Sequence, residues 1–281
     1  MNFLIKLFAL FAIILKVGAI YDGDTAKEHQ FPYTVLVHSP QFFCAGAIIS
    51  DRHIITAAHC LMSIRKGGKA VVNVGVHEYY GGGLSDGITL SSSKFWIHEN
   101  FTMPSAVFDI GIIELKVPLN FSEKISSLKL STKENADLDV EDKDVVLSGW
   151  GYTYDYSGAS RELQYTNLTL YPLNECKKFK SHYIENLNEN HICARKTKGL
   201  PCSGDSGAVM VSRKTKKIVG ILSYVKDAEN GVDIHYNDCI SDVPVVATRV
   251  SSYINWIKEK TGLNFGHQHQ SSHFIKTYGI S

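Results

Sequence analysis

Cys202-Ser203-Gly204-Asp205-Ser206-Gly207 is the stretch on which the reading of this chain turns. By itself a serine between glycines is often no more than a turn, because glycine supplies the left-handed conformations that tight turns need. Its neighbours in sequence change that meaning. Upstream lie Thr56-Ala57-Ala58-His59-Cys60 and, between the two, Phe108-Asp109-Ile110-Gly111-Ile112-Ile113-Glu114-Leu115. A serine hydroxyl is too weakly acidic to attack an amide at neutral pH, so it needs a neighbouring base to take its proton as the new bond forms. His59 offers a ring whose ordinary pKa lies near neutrality. Asp109 offers a carboxylate that accepts the other ring N–H, fixing the tautomer and stabilising the imidazolium. Alone, a histidine beside a cysteine reads as structural, and an aspartate ahead of an apolar run reads as a strand cap. In the order His, Asp, Ser they read as base, orienting acid and nucleophile.

Three motifs in this order and at compatible spacing resemble the chymotrypsin-like (trypsin-like, S1) serine proteases, from Ile20 to about Gly262. The resemblance implies an all-β fold of two six-stranded antiparallel barrels joined near 119–135. His59 and Asp109 then come from the first barrel, Ser206 from the second, and the site lies between them. It implies an endopeptidase acting on protein or peptide substrates through an acyl-enzyme, open to protein protease inhibitors, monomeric, and without cofactor or metal. The backbone N–H groups of Gly204 and Ser206 fall to the oxyanion, where loss of a donor typically costs ~10²–10³ in rate. Ser223 falls to a hydrogen bond with Asp109. Asp205 falls to an ion pair with a new N-terminal ammonium on Ile20, although Ile20-Tyr21-Asp22-Gly23 stands where the family has Ile-Val-Gly-Gly. Gly207-Ala208-Val209 likewise replaces Gly-Gly-Pro, a departure that local repacking should absorb. The implied disulfides are Cys44–Cys60, Cys176–Cys193 and Cys202–Cys239.

The specificity pocket departs further from the family. Its base falls on Leu200 instead of an aspartate, and its walls, usually glycines, on Val225 after Ser223-Tyr224 and on Val245. Without a counter-charge a buried substrate cation is costly, so the expected preference is for small or medium apolar residues, elastase- or chymotrypsin-like and not trypsin-like. Residues 226–238, with Asp227, Glu229, Asp233 and Asp238, form a longer loop than the family usually has and leave open a rearranged pocket or an acidic exosite.

The wider sequence fits a secreted enzyme. A chain of 281 residues, 44% hydrophobic and 20% charged, has the composition of a globular protein with a sizeable core. Its formal charge of +1 offers no footprint for nucleic acid. Residues 1–19 combine Lys6, an apolar run of nine residues from Leu7 to Leu15, and Val17-Gly18-Ala19. That is the form of a secretory signal, and nine residues are too few to span a ~30 Å hydrocarbon layer. Six cysteines suit an oxidising compartment, and with no Cys-x-x-Cys pair they do not suggest zinc. Spacing alone leaves 15 pairings open. Sequons at Asn100, Asn120 and Asn167 gain meaning from secretion. The family's calcium loop here has Val76, which offers no oxygen ligand, so no calcium is expected there.

Short apolar runs at 34–38, 45–50, 53–57, 71–76, 110–115, 145–147, 164–171, 208–211, 218–224 and 245–250, broken by turn residues, argue strands. The one strong helical pattern is 250–262, with Tyr253, Ile254, Trp256 and Ile257 in register, Ser251 or Ser252 as cap and Gly262 as stop. Residues 263–281 read as a solvated tail, although His267, His269 and His273 leave a metal-dependent hydrolase as a distant alternative. A non-catalytic homologue that binds without cutting is the other alternative.

Overall fold

The computed structural model describes residues 20, 22–39, 42–64, 67–103, 106–132, 143–152, 158–179, 186–224 and 244–265. Sixteen strands run in chain order: β1 (Asp24–Thr25), β2 (Thr34–His38), β3 (Phe43–Ile48), β4 (His53–Thr56), β5 (Val71–Val74), β6 (Tyr79–Gly81), β7 (Leu84–Ser85) and β8 (Ile88–Ile97). Then come β9 (Gly111–Leu115), β10 (Lys129–Leu130), β11 (Asp144–Gly149), β12 (Gln164–Tyr171), β13 (His191–Lys196), β14 (Val209–Ser212), β15 (Lys217–Tyr224) and β16 (Val245–Arg249). The helices are α1 (His59–Met62), α2 (Leu173–Cys176) and α3 (Ile254–Thr261).

The strands close into two six-stranded antiparallel barrels. The first runs β2-β3-β4-β9-β8-β5. The second runs β12-β11-β14-β15-β16-β13 and is closed by pairing of β13 with β12, while β1 adds to β12 and β10 lies parallel to β15. The first barrel ends with β9 and the second begins with β11, on either side of the expected joint. Closure leaves the barrels without free edges, and their interiors fill with side chains. Every residue of β3 and β4 is buried; β3 appears in sequence as an unbroken apolar run, whereas β4 frames Ile54-Ile55 with the buried polar His53 and Thr56. In β12 burial alternates residue by residue, the period-2 signature of a strand with one wet face.

Two of the twelve barrel strands have no counterpart among the expected apolar runs. β8, Ile-Thr-Leu-Ser-Ser-Ser-Lys-Phe-Trp-Ile, is mostly exposed or half-buried, and apart from Phe95-Trp96-Ile97 its apolar residues are separated by polar ones. β13, His-Ile-Cys-Ala-Arg-Lys, is marked by too few apolar residues, yet its pairing with both β12 and β16 closes the second barrel. β3 also begins two residues earlier than the expected 45–50 run, at Phe43.

The C-terminal helix corrects one expectation and extends another. Val250–Tyr253 form a 3-10 turn that leads into α3, so Ser251 and Ser252 lie inside that turn and Tyr253 occupies the cap position without a side-chain cap bond. Gly262 ends the helix with φ 69°, the left-handed conformation that glycine adopts without strain. Beyond it Leu263 and Phe265 pack against the core, where a solvated stretch was expected; residues 266–281, with His267, His269 and His273, lie outside the described residues.

Candidate active site

Strand pairing gathers the candidate residues at one end of each barrel. Thr56 at the end of β4 pairs with Gly111 at the start of β9, so His59 just beyond β4 and Asp109 just before β9 emerge at the same end of the first barrel. In the second barrel Val209 pairs with Ile221 and Ile221 with Thr248, which brings Ser206 and Ser223 to a common end with Thr248 beside them.

Asp109 is fully buried and fully engaged. Its Oδ2 accepts hydrogen bonds from His59 Nδ1 at 2.8 Å and Ser223 Oγ at 2.5 Å, and its Oδ1 accepts one from the His59 backbone N–H at 2.9 Å. Its own carbonyl accepts from Thr248 Oγ1 at 2.9 Å. Both hydroxyls belong to the second barrel, which holds the carboxylate through Ser223 and the Asp109 backbone through Thr248. Ser223 reaches it through a shift of register between Leu222 and Tyr224 against β16, a bulge of the kind that re-aims a side chain. Burial of the His59 ring, the largest influence, disfavours the imidazolium, but the charge and hydrogen bond of Asp109 together outweigh it and hold the ring above its usual pKa.

The turn that carries Ser206 is pinned to both barrels by its backbone. The Ser206 carbonyl accepts from the Ala45 N–H of β3 at 2.8 Å, and the Gly207 N–H donates to Leu222 of β15 at 2.8 Å. Gly207, at φ 82°, admits this approach because a Cβ there would lie 2.3 Å from Thr56 Oγ1 and 2.4 Å from the Ala45 carbonyl. Thr56 Oγ1 itself donates to that carbonyl at 2.7 Å. Where the family has Gly-Gly-Pro, Ala208 is buried and β14 begins at Val209. Cys60 Sγ sits 3.7 Å from both His59 Nε2 and the Ser206 carbonyl oxygen, so those two atoms are separated by no more than twice that distance.

Gly204 stands at φ 95°, and a Cβ would meet the Phe43 ring at 2.7 Å. Backbone conformation and space both require glycine. Gly204→Ala is therefore expected to cost about 1–3 kcal/mol of stability, the range for a non-glycine residue held in such a region. A thermal melt against wild type measures it, and an unchanged midpoint would refute it.

Asp205 is buried in a cradle of two glycines: a Cβ on Gly149 or Gly151 would fall 2.1 or 2.3 Å from its carboxylate oxygens. The N–H groups of Gly151 and Cys202 donate to it at 2.8 and 2.9 Å. Burial nevertheless dominates and lifts its pKa from 3.8 to about 7. Ile20 is fully buried in the cluster that contains Leu147 and Ala208. Asp22, in place of a family glycine, adopts φ 56°, a region that aspartate tolerates better than most residues.

Leu200 and Val245 share that same buried apolar cluster. Tyr224 ends β15 with its backbone opposite Val246, while Val225 and residues 226–243 lie outside the described residues. Disulfides join Cys44 to Cys60 and Cys176 to Cys193. Cys202 is also disulfide-bonded, and its expected partner Cys239 lies outside the described residues. Among the described residues, the one group with metal-ligating atoms within 4.8 Å of one another is Cys44, His59 and Cys60, but both sulfurs are held in a disulfide and neither is a thiolate. At the loop examined for calcium, Asp86 accepts the N–H groups of His77 and Glu78, and Glu78 pairs with Arg161 at 2.9 Å. Asn100 and Asn120 are exposed, whereas Asn167 is half-buried within β12. No described helix is long and apolar enough to cross a membrane.

Sequence reasoning reached His59, Asp109, Ser206, Ser223 and Gly204 but missed Thr248, Thr56 and the tight fit of Gly207. Threonines are ordinary strand residues, and only the folded register reveals which of them faces Asp109.

Comparison with known proteins gives the family of the fold. Trypsin delta of Drosophila melanogaster is 29% identical over 242 residues, covering 85% of this chain and 87% of that protein. The structure of HL collagenase superposes with a TM-score of 0.72 at 26% identity, covering 87% of this chain and 100% of that one. A scabies mite inactivated protease paralogue shares the fold with a TM-score of 0.73 at 21% identity, covering 86% of this chain and 97% of that one. The family model described as Trypsin matches residues 20–257, nearly the whole of both barrels, and the chain belongs to the trypsin family of serine endopeptidases.

Proposed function

We propose that this endopeptidase cuts peptide bonds with Ser206 as nucleophile, His59 as general base and acid, and Asp109 as the group that orients and stabilises the imidazolium. The observation that carries the reading is the buried Asp109 carboxylate bonded to His59 Nδ1, which leaves Nε2 as the nitrogen able to take a proton. Ser206 Oγ attacks the carbonyl carbon of the substrate and its proton passes to His59 Nε2. The negative charge that forms on the carbonyl oxygen is received by the N–H groups of Gly204 and Ser206. Collapse expels the amine with the proton from His59, leaving an acyl ester on Ser206. Water then attacks that ester with His59 again as base, which restores the free enzyme.

A fluorophosphonate probe tests this directly, because only an activated serine reacts. Labelling is expected on Ser206 in wild type and absent in His59→Ala. The base must be neutral to accept a proton, so activity falls as pH drops through the His59 pKa, at a midpoint above the ordinary histidine value. Absence of labelling would favour a binding module of the same fold.

The pocket reading is part of the same proposal. Leu200 and Val245 are apolar and belong to one buried cluster. Cleavage after Ala, Val or Leu is expected, with discrimination of ~1–3 kcal/mol per methylene. Chromogenic peptides that differ only at the residue before the bond measure it. Faster turnover after Arg or Lys would mean that an acid outside this cluster serves the pocket. Export through residues 1–19, and glycans at the exposed Asn100 and Asn120, complete the picture of a secreted, monomeric enzyme that acts on proteins and is open to protein inhibitors.

A further inference from the structure

Phe108 immediately precedes Asp109 and stands at φ 61°. Left-handed backbone is uncommon for any non-glycine residue and a genuine outlier for a bulky one. Asp22, His29, Ala106 and Lys216 share the region, but only Phe108 adjoins a residue of the proposed triad. A conformation of this kind persists only where the surroundings over-determine it.

Three rings do so. His98 stacks on Phe108 with centroids 4.8 Å apart and planes inclined by 21°. Tyr253, just ahead of α3, meets both edge-on, 6.1 Å from Phe108 and 5.4 Å from His98. Trp256 lies 5.1 Å from His98 on α3. The corner is clamped as well, because Trp256 Nε1 donates to Glu99 at 2.8 Å and Lys260 pairs with the other oxygen of Glu99 at 2.5 Å. On the backbone, the Ile110 N–H donates to the Phe108 carbonyl at 2.8 Å, which makes Asp109 the centre of a three-residue turn. The His98 N–H donates in turn to the Ile110 carbonyl at 3.2 Å. The direction of the Asp109 side chain is thus set by a turn whose first residue is gripped by His98 and Tyr253.

We propose that Phe108 is a positioning residue for catalysis: its ring, held between His98 and Tyr253, fixes the turn that aims Asp109 at His59, and the C-terminal helix thereby supports the active site. The inference rests on the proposed role of Asp109. It accounts for the placement of an aromatic cluster and a helix clamp behind the orienting acid, where filling the core alone would not require a left-handed phenylalanine.

The test compares Phe108→Leu and His98→Leu with wild type in the full secreted protein. Each variant is checked by thermal melt, and His59 is titrated by NMR on its own ring, which separates it from His98. Loosening Asp109 is expected to lower kcat by about 10–100-fold with KM unchanged, the scale for a small misplacement of a reacting group. The His59 midpoint is expected to move down, toward the ordinary histidine value, because the ring loses part of the interaction that raises it. The double variant should lose little beyond either single one, since both act through one turn. Phe108→Gly, which suits the backbone but removes the ring, should stay as slow as Phe108→Leu. Wild-type kcat and an unmoved His59 titration in folded Phe108→Leu and His98→Leu would overturn the proposal, as would full rescue by glycine. If His59→Ala also stayed active, the triad reading itself would fall; if His59→Ala is inactive and the Phe108 variants are not, only the positioning inference falls.

Discussion

Ser206→Ala and His59→Ala are each expected to lose nearly all peptidase activity, about 10⁵–10⁶-fold in kcat, while the fold survives. The size follows from the way such groups act as a unit, so that removing one costs about as much as removing several. The survival of the fold follows from where the bonds lie. The Ser206 turn is held by backbone groups, its carbonyl on Ala45 and the adjacent Gly207 N–H on Leu222, and an alanine keeps both. In His59→Ala the buried Asp109 carboxylate loses the ring N–H but keeps the Ser223 hydroxyl and the backbone N–H of residue 59. A carboxylate left with two donors is not an orphaned charge, so unfolding is not expected. A residual rate of about 10³–10⁴ over water should remain, from oxyanion stabilisation and substrate binding alone. Single-turnover assays on both variants, with melting curves alongside, measure these quantities. Retention of even a tenth of the wild-type rate in a clean preparation would defeat the assignment.

The proposed triad could be singled out from sequence because the chemistry it would perform needs residue types that are rarely interchangeable. His59, Asp109 and Ser206 stand in motifs that can be found without knowing the fold. The barrels were legible where burial leaves a trace in composition: β2 and β12 fall on the apolar runs at 34–38 and 164–171. β8 left only Phe95-Trp96-Ile97 at its end, since a mostly exposed, serine-rich strand is specified more by its pairing with β5 and β9 than by its own apolar residues. The helix start was misplaced for a related reason. A serine before an apolar helical pattern is a good cap signal, but Val250–Tyr253 tighten into a 3-10 turn whose Ser251 is buried, and the geometry of a cap never forms. The support of Asp109 was half legible. Ser223 was expected from resemblance, while Thr248 and the left-handed Phe108 are set by register and ring packing, which no local sequence signal encodes.

An enzyme that begins at Ile20 is expected to be at least about 100-fold more active than one that retains a residue before it, and Asp205→Asn should lose activity to a similar degree. In the intact chain Ile20 carries a peptide bond, and the Asp205 carboxylate has only two backbone N–H donors against the cost of burial, which lifts its pKa to about 7. A raised carboxylate pKa contributes stability that is fully present below 3.8 and is lost as pH rises through about 7. The intact chain is thus strained at neutral pH, because it must either bury an unpaired charge or hold a proton there. Cleavage after Ala19 is expected to supply the missing partner, the ammonium of Ile20. Valine at the third position back and alanine at the last suit signal peptidase, so a single cut can remove residues 1–19 and free the ammonium of Ile20, with no separate zymogen step. Breaking such a buried pair costs about 3–5 kcal/mol, which sets the scale of the activity difference. The sign for the ammonium is worked out from an unperturbed α-amino pKa of about 7.7–8.0, which pairing raises. Its contribution is present below that unperturbed value and is lost as pH climbs through the raised one, so activity should show an alkaline limb that lies above 8. N-terminal sequencing of the secreted protein and activity assays on chains that begin at Ala19 and at Ile20 decide the matter. A start other than Ile20, or equal rates from the two chains, would show that the buried Asp205 is balanced by something other than this terminus.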